Sequence, residues 1–309
     1  MPLALVAKGS LNQLRTISCK FTAPRIYPAI HPVPLSISTT SRMAPRAPWR
    51  DILASHLEKA PAHDFSIATV DYDAQGRAVP RVRTCGCRGF FPELELHPKG
   101  QQDIDEQVED GGNPPLYESD MLTFTTDIRM EKLWQLKKSG FDPPIEAMFW
   151  LKDSMAQWRV KGRAYALGGP PSALWSPQEE ADEELSRREL AQNLRRKTNG
   201  SGDPAKWTWD KAVTKYFANH SPIMRGSFRS PRPGQPRSEA PENPAIGMGQ
   251  KVTDLHDPVA RKNFRVVVIE PEEVELLDLT NLEDAKRWKW TLAREDRPEN
   301  HWVQTELWP

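Results

Sequence analysis

Cysteine is scarce in this 309-residue sequence. Cys19, Cys85 and Cys87 are too few for a disulfide framework, and the Cys-Gly-Cys pair has no second pair to complete a zinc site. A reducing compartment is expected, with Cys85 and Cys87 read as strand filler and redox chemistry as the other reading. No apolar run approaches the roughly 18 residues that a membrane span needs, so no membrane partner is expected. Net charge is missing as well, with 42 Lys/Arg against 42 Asp/Glu. The balance is uneven: residues 1–50 hold seven basic residues and no acid, leaving 35 basic and 42 acidic residues, or −7, in the remainder. A mildly acidic body lacks the basic face that nucleic acid demands, which excludes that partner class. Also absent are a Gly-x-Gly-x-x-Gly turn, a Gly-Lys-Ser/Thr phosphate loop and a Gly-x-Ser-x-Gly elbow. His56, His63, His97, His220, His256 and His301 are scattered without ligand spacing, and no metal is expected.

The composition of residues 1–42, with Lys8, Arg15, Lys20, Arg25 and Arg42 among Ser and Thr and no acid, is that of a mitochondrial transit peptide. The alternative is a disordered tail, with a cytoplasmic product starting at Met43. A globular pattern begins near residue 48. Trp49, Ile52, Leu53, His56 and Leu57 have helical spacing, and strands are predicted over Phe65–Val70 and Ala78–Phe90 around the turn Asp73–Arg77. Residues 97–116 show no periodicity and read as a mobile surface insertion before a strand over Met121–Thr125. Asp127 suits the N-cap of a helix carrying Met130, Leu133, Trp134 and Leu136 and ending at Gly140. A hairpin follows over Glu146–Leu151 and Gln157–Leu167. Residues 170–206 form a second insertion with a charged helix over Pro177–Lys197. Residues 230–250, with five Pro and three Gly, form a third, extended or disordered one. Strands over Phe264–Ile269, Val274–Leu279, Arg287–Arg294 and Trp302–Leu307 are predicted to close the chain, with turns at Glu270-Pro271-Glu272 and residues 295–300. Many short antiparallel strands with a few helices make the fold class mainly β, a barrel with helical additions.

Cations are concentrated on segments predicted as sheet and helix start: Arg81, Arg83, Arg88, Arg129, Lys132, Arg159, Lys161 and Arg163. Half-buried charges are costly without a partner, so a dianionic phosphate held by guanidiniums accounts for them. A solvated outer face of Arg–Glu pairs accounts for them equally well. Arg83 and Arg88, five residues apart, fall on opposite faces of a regular strand, and Gly86 between them is a candidate bulge.

Five pieces in order resemble the FMN-binding split β-barrel of the pyridoxamine 5′-phosphate oxidase superfamily, and within it the Alr4036-type branch. They are Pro80-Arg-Val-Arg-Thr84 with Arg88-Gly-Phe90, Phe124-Thr-Thr-Asp-Ile-Arg129 with Lys132, Gln157-Trp-Arg-Val-Lys-Gly-Arg-Ala164, Arg225-Gly-Ser-Phe228 with Pro231-Arg-Pro-Gly234, and residues 264–309. The resemblance spans residue 48 to the C-terminus apart from the insertions. It implies FMN as cofactor, with Arg83 and Arg129 gripping its phosphate, Thr84, Thr125 and Thr126 adding donors beside them, and Lys132 facing the same group. Arg88 is implied near the isoalloxazine ring and Arg287 at its polar edge. Gln157 is implied to bond the flavin of a second subunit, hence a homodimer. Arg225 and Ser227 are the implied contacts to a small-molecule substrate, and the implied activity is that of an oxidoreductase, with a non-catalytic flavin module as the alternative. The chain departs from the family pattern in three places. Met130 replaces a small hydroxyl residue, Leu277 replaces a Trp near the flavin, and Glu283-Asp284-Ala285 stands where the oxidases carry an Arg-x-His pair that holds substrate phosphate.

Overall fold

The computed structural model describes residues 45–139, 143–169, 176–241, 246–293 and 301–309. Residues 1–42, with the expected transit peptide, lie outside them, as do the helix end at Gly140 and the turn at 295–300. In chain order the elements are α1 (Arg50–Lys59), β1 (Asp64–Tyr72), β2 (Ala78–Phe90), α2 (Pro98–Gln107), β3 (Tyr117–Glu118), β4 (Leu122–Asp127), α3 (Glu131–Lys138), β5 (Pro144–Leu151) and β6 (Ala156–Leu167). They continue with α4 (Pro177–Ala191), β7 (Arg195–Arg196), α5 (Trp209–Ala218), α6 (Pro222–Gly226), α7 (Pro258–Asn263), β8 (Phe264–Asp278), β9 (Lys286–Ala293) and β10 (His301–Leu307).

Strands pair in the order β10-β9-β8-β4-β2-β1-β5-β6, and β6 pairs again with β8. That second pairing closes a barrel of β8, β4, β2, β1, β5 and β6, leaving β9 and β10 as a hairpin on the far half of β8. Closure removes the exposed strand edges that an open sheet would present. Inside lie Phe65, Ile67, Phe124, Phe149 and Trp158, with Leu53 and Leu57 of α1 and Leu133 and Leu136 of α3 in the same core. A second core lies beyond the barrel wall. Val266 and Val268 of β8 pack there with Phe91, Tyr216, Phe217 and Phe264, while Val267 and Ile269 point into the barrel. Apolar cover on both faces explains why Phe264-Arg-Val-Val-Val-Ile269 shows no alternation.

Four expectations are corrected. Residues 97–116 contain α2, which buries Ile104 in the second core against α5. Its single apolar anchor in a Gln- and Asp-rich helix gives little periodicity. No turn interrupts residues 264–278: β8 runs through Pro271, opposite Gly162, and the extra residue is absorbed by a register shift at Lys161/Gly162. The bulge in β2 sits at Gly89 rather than Gly86, since three steps from Cys87 to Phe90 face two from Phe124 to Leu122, and Gly89 takes φ +75°. Asp127 ends β4 and does not cap α3, whose N-cap is Met130; the Asp127 carboxylate accepts from Arg129 N–H instead.

Helix α5 was not anticipated, although Trp209, Val213, Tyr216 and Phe217 have helical spacing and are buried. Among the described residues no helix is long and apolar enough to cross a membrane, and no three His, Cys, Asp or Glu side chains converge as metal ligands.

Candidate functional site

Alternation along β2 sends Arg83, Cys85 and Cys87 to one side and Thr84 and Arg88 to the other. The row that begins at Arg83 continues across β1, β5 and β6 through Ile67, Ala147 and Val160, all fully buried. Arg83 therefore stands at the margin of the barrel interior. Helix α3 lies over that margin. Its buried face carries Leu133 and Leu136 into the core, and Lys132 and Gln135 sit on the same face, as i and i+3 residues do.

The Arg83 guanidinium donates to Thr69 Oγ1 at 2.6 Å and to Gln135 Oε1 at 2.8 Å, and Thr69 donates to the same amide oxygen at 2.6 Å. Lys132 is 8% exposed, with Nζ 3.0 Å from Thr126 Oγ1 and 3.4 Å from Met130 Sδ. Neither cation forms an ion pair among the described residues. Burial holds both below their ordinary pKa, helped by Arg81 for Arg83 and by Arg83 for Lys132, and opposed by Cys85 with Glu131 for Arg83 and with Asp127 for Lys132. Burial raises the half-buried Cys85 thiol, opposed by Lys132 and then Arg83. Cys87, wholly inside the core, is pushed up to about 11, as an inert thiol would be. Desolvated cations without an ion-paired carboxylate are what an anion relieves. The set of Arg83, Lys132 and the Thr126 hydroxyl fits a phosphate. Thr69 and Gln135, which orient Arg83, were missed in the sequence, although Gln135 follows Lys132 at helical spacing.

The remaining candidates divide among other places. Thr125 projects from the opposite side of β4 to Thr126, and its Oγ1 is 2.9 Å from His220 Nε2. His220 is buried among Phe228 and Phe264, and burial, then Arg88 and Arg225, lower its pKa to about 3, so the ring is neutral. Arg88 keeps a buried Nε without a hydrogen-bond partner. Thr84 is exposed across from Ser66. Gln157 and Arg287 share one cross-strand row with Leu277 between them, and Arg287 is bonded to Glu275. Arg129 pairs with Asp127 through Nε at 2.9 Å and Nη2 at 2.6 Å while Nη1 donates to Ser230 O at 3.0 Å, which ties the residue 230 segment to the end of β4. Arg225 is 1% exposed and pairs with Asp103 at 2.6 Å; Ser227 Oγ donates to Met224 O at 2.7 Å.

The fold is thus a closed antiparallel barrel that carries two desolvated cations at its helix-covered margin. Residues 46–168 match the family described as pyridoxamine 5′-phosphate oxidase, FMN-binding domain. Over that stretch the chain resembles the FMN-binding domain of this family, which supports FMN as the cofactor. A pyridoxamine 5′-phosphate oxidase-related, FMN binding protein from Nostoc punctiforme is similar over 86% of this chain and 100% of its own, at 19% identity and a TM-score of 0.51. PhzG from Burkholderia lata is similar over 86% of this chain and 94% of its own, at 15% identity and a TM-score of 0.41. At 19% identity the likeness to the Nostoc punctiforme protein concerns the fold. No curated protein sequence matches the chain significantly.

Proposed function

We propose that this chain is an FMN-dependent oxidoreductase acting on a small molecule as a homodimer. The observation that carries the flavin site is the pair Arg83 and Lys132, desolvated and in no ion pair among the described residues. When bound, FMN supplies a two-electron hydride acceptor that dioxygen or another acceptor reoxidises. Arg83, oriented by Thr69 and Gln135, and Lys132, beside Thr126, hold the phosphate. Arg88 brings a cation with an unused Nε–H to the other side of β2. Gln157 and Arg287 lie on one sheet face with exposed Trp150 at the end of their row, a face suited to a second copy that would place Gln157 beside the neighbouring flavin.

The absorbance spectrum of the purified protein tests the first point: two visible flavin bands are expected, and a colourless protein that FMN cannot reconstitute would end the reading. Light scattering tests the second, with a monomer at full FMN occupancy as the contrary result. Residues 1–42 are proposed to direct the protein to mitochondria; a uniformly cytosolic signal from a fused reporter would favour a start at Met43.

One observation favours a non-catalytic flavin module instead. Both implied substrate contacts are engaged internally, Arg225 in a buried ion pair with Asp103 and Ser227 on the Met224 carbonyl. Turnover assays of FMN-saturated protein against a panel of amine and alcohol substrates separate the two readings.

A further inference from the structure

The ammonium of Lys132 has two neighbours of unequal chemistry. Thr126 Oγ1 at 3.0 Å is a good hydrogen-bond acceptor, while Met130 Sδ at 3.4 Å is a weak one. Lys132 and Thr126 are buried, whereas Met130 is 37% exposed and lines a groove of about 460 Å³ that also holds Arg129, Trp134 and Arg232. A small oxidant in solvent therefore has a route to the residue that touches the phosphate-site lysine. We propose that Met130 is an oxidation site, and that its conversion to the sulfoxide by hydrogen peroxide weakens the hold of Lys132 on the cofactor phosphate. The proposal rests on the flavin reading.

The thioether sulfur attacks one peroxide oxygen; the S–O bond forms, the O–O bond breaks, and the departing hydroxide is protonated to water. Sulfur is oxidised and peroxide reduced. The product carries a strongly polarised S–O group on the same side chain, within reach of Nζ. A weak acceptor at 3.4 Å becomes a strong one competing with phosphate for the same N–H donors. The effect is local because Arg83 is oriented by Thr69 and Gln135.

The experiment measures FMN dissociation constants by fluorescence titration, before and after graded hydrogen peroxide, with peptide mass mapping of each methionine. In the wild-type protein the Met130 peptide should gain one oxygen in step with an FMN affinity loss on the order of fivefold, the worth of one net hydrogen bond. Methionine sulfoxide reductase should restore the affinity, and Met130→Leu should show no such loss although Met224 and Met248, exposed at 50% and 78%, still oxidise. An unmodified Met130 when those two are fully oxidised, an oxidised Met130 with unchanged affinity, or an equal loss in Met130→Leu would each overturn the inference. Failure of the untreated protein to bind FMN would instead bring down the flavin reading beneath it.

Discussion

Lys132 Nζ and Thr126 Oγ1 lie 3.0 Å apart, the lysine in α3 and the threonine one residue before the end of β4. The short connection between strand and helix thus folds a cation back over its own strand. Thr126 is 7% exposed and Lys132 8%, so the ammonium is removed from water before any ligand arrives. Arg83 reaches the same margin from β2. The two cations are brought together by one strand face and one helix face, and both elements are anchored in the barrel core, β2 through Cys87 and α3 through Leu133 and Leu136.

Arg83→Ala and Lys132→Ala should each weaken FMN binding by about 1.5–3 kcal/mol, the range for a charge-assisted hydrogen bond. Arg129→Ala should behave differently. Its guanidinium is bidentate on Asp127 and bonded to Ser230 O, so its removal should loosen the residue 230 segment and change FMN affinity less than either of the others. Equilibrium titration of apoprotein with FMN ranks the three variants; equal losses in all would mean that Arg129 leaves Asp127 for the phosphate.

Gly162 should tolerate no side chain. A Cβ there would lie 1.9 Å from Glu270 O and 3.0 Å from Pro271 Cα, both backbone atoms of the paired strand. Gly162→Ala should lower the unfolding free energy by about 2–3 kcal/mol, as overpacking of a close contact does. A urea unfolding midpoint within error of the parent protein would show that β8 can move aside.

The same contact shows where the sequence was legible and where it was not. Ala78–Phe90 was read to its ends because turn residues flank an extended run, whereas Arg83 and Lys132 were two of eight cations noted on sheet and helix-start segments, and only burial sets them apart from the ion-paired Arg129. Pro271 was read as a turn because proline cannot donate to a ladder; only the partner strand reveals that it meets a glycine across a register shift. Asp127 was read as a helix cap from its position alone, whereas its partner Arg129 lies two residues on and decides its role. Arg225 looked available for substrate, but its counter-charge, Asp103, lies in a helix 122 residues earlier that itself escaped notice.

Acid should act on the junction between the N-terminal segment and the two-stranded β3–β7 ribbon. Glu118 accepts from Arg46 and, at 3.0 Å, from Arg195, and these contacts, Arg46 foremost, hold its pKa down to about 2 from 4.5. A depressed carboxylate pKa contributes stability above the unfolded value that is lost as pH falls through the folded one. The melting-temperature difference between wild type and Glu118→Gln should therefore be full at pH 6 and shrink between about pH 4.5 and 2. A difference constant over that range would mean that the ion pairs add nothing to folding.

Pyridoxamine 5′-phosphate should be a poor substrate of the FMN-loaded protein. Where the oxidases that this chain resembles carry an Arg-x-His pair for the substrate phosphate, Glu283 and Asp284 form an exposed turn before β9, with Asn281 Oδ1 accepting from Glu283 N–H. Lys286, two residues on, has Nζ 3.5 Å from Asp284, so it answers an acid beside it. Arg287, next in sequence, is bonded to Glu275. Losing one charge-assisted contact costs roughly 1.5–3 kcal/mol, or about one to two decades of binding, and two acids near a dianion add repulsion that solvent screens in part. A coupled assay for pyridoxal 5′-phosphate measures the outcome. Turnover of about 1 per second or more, ordinary for an enzyme, would show that cations from elsewhere in the chain or from a second subunit replace the missing pair.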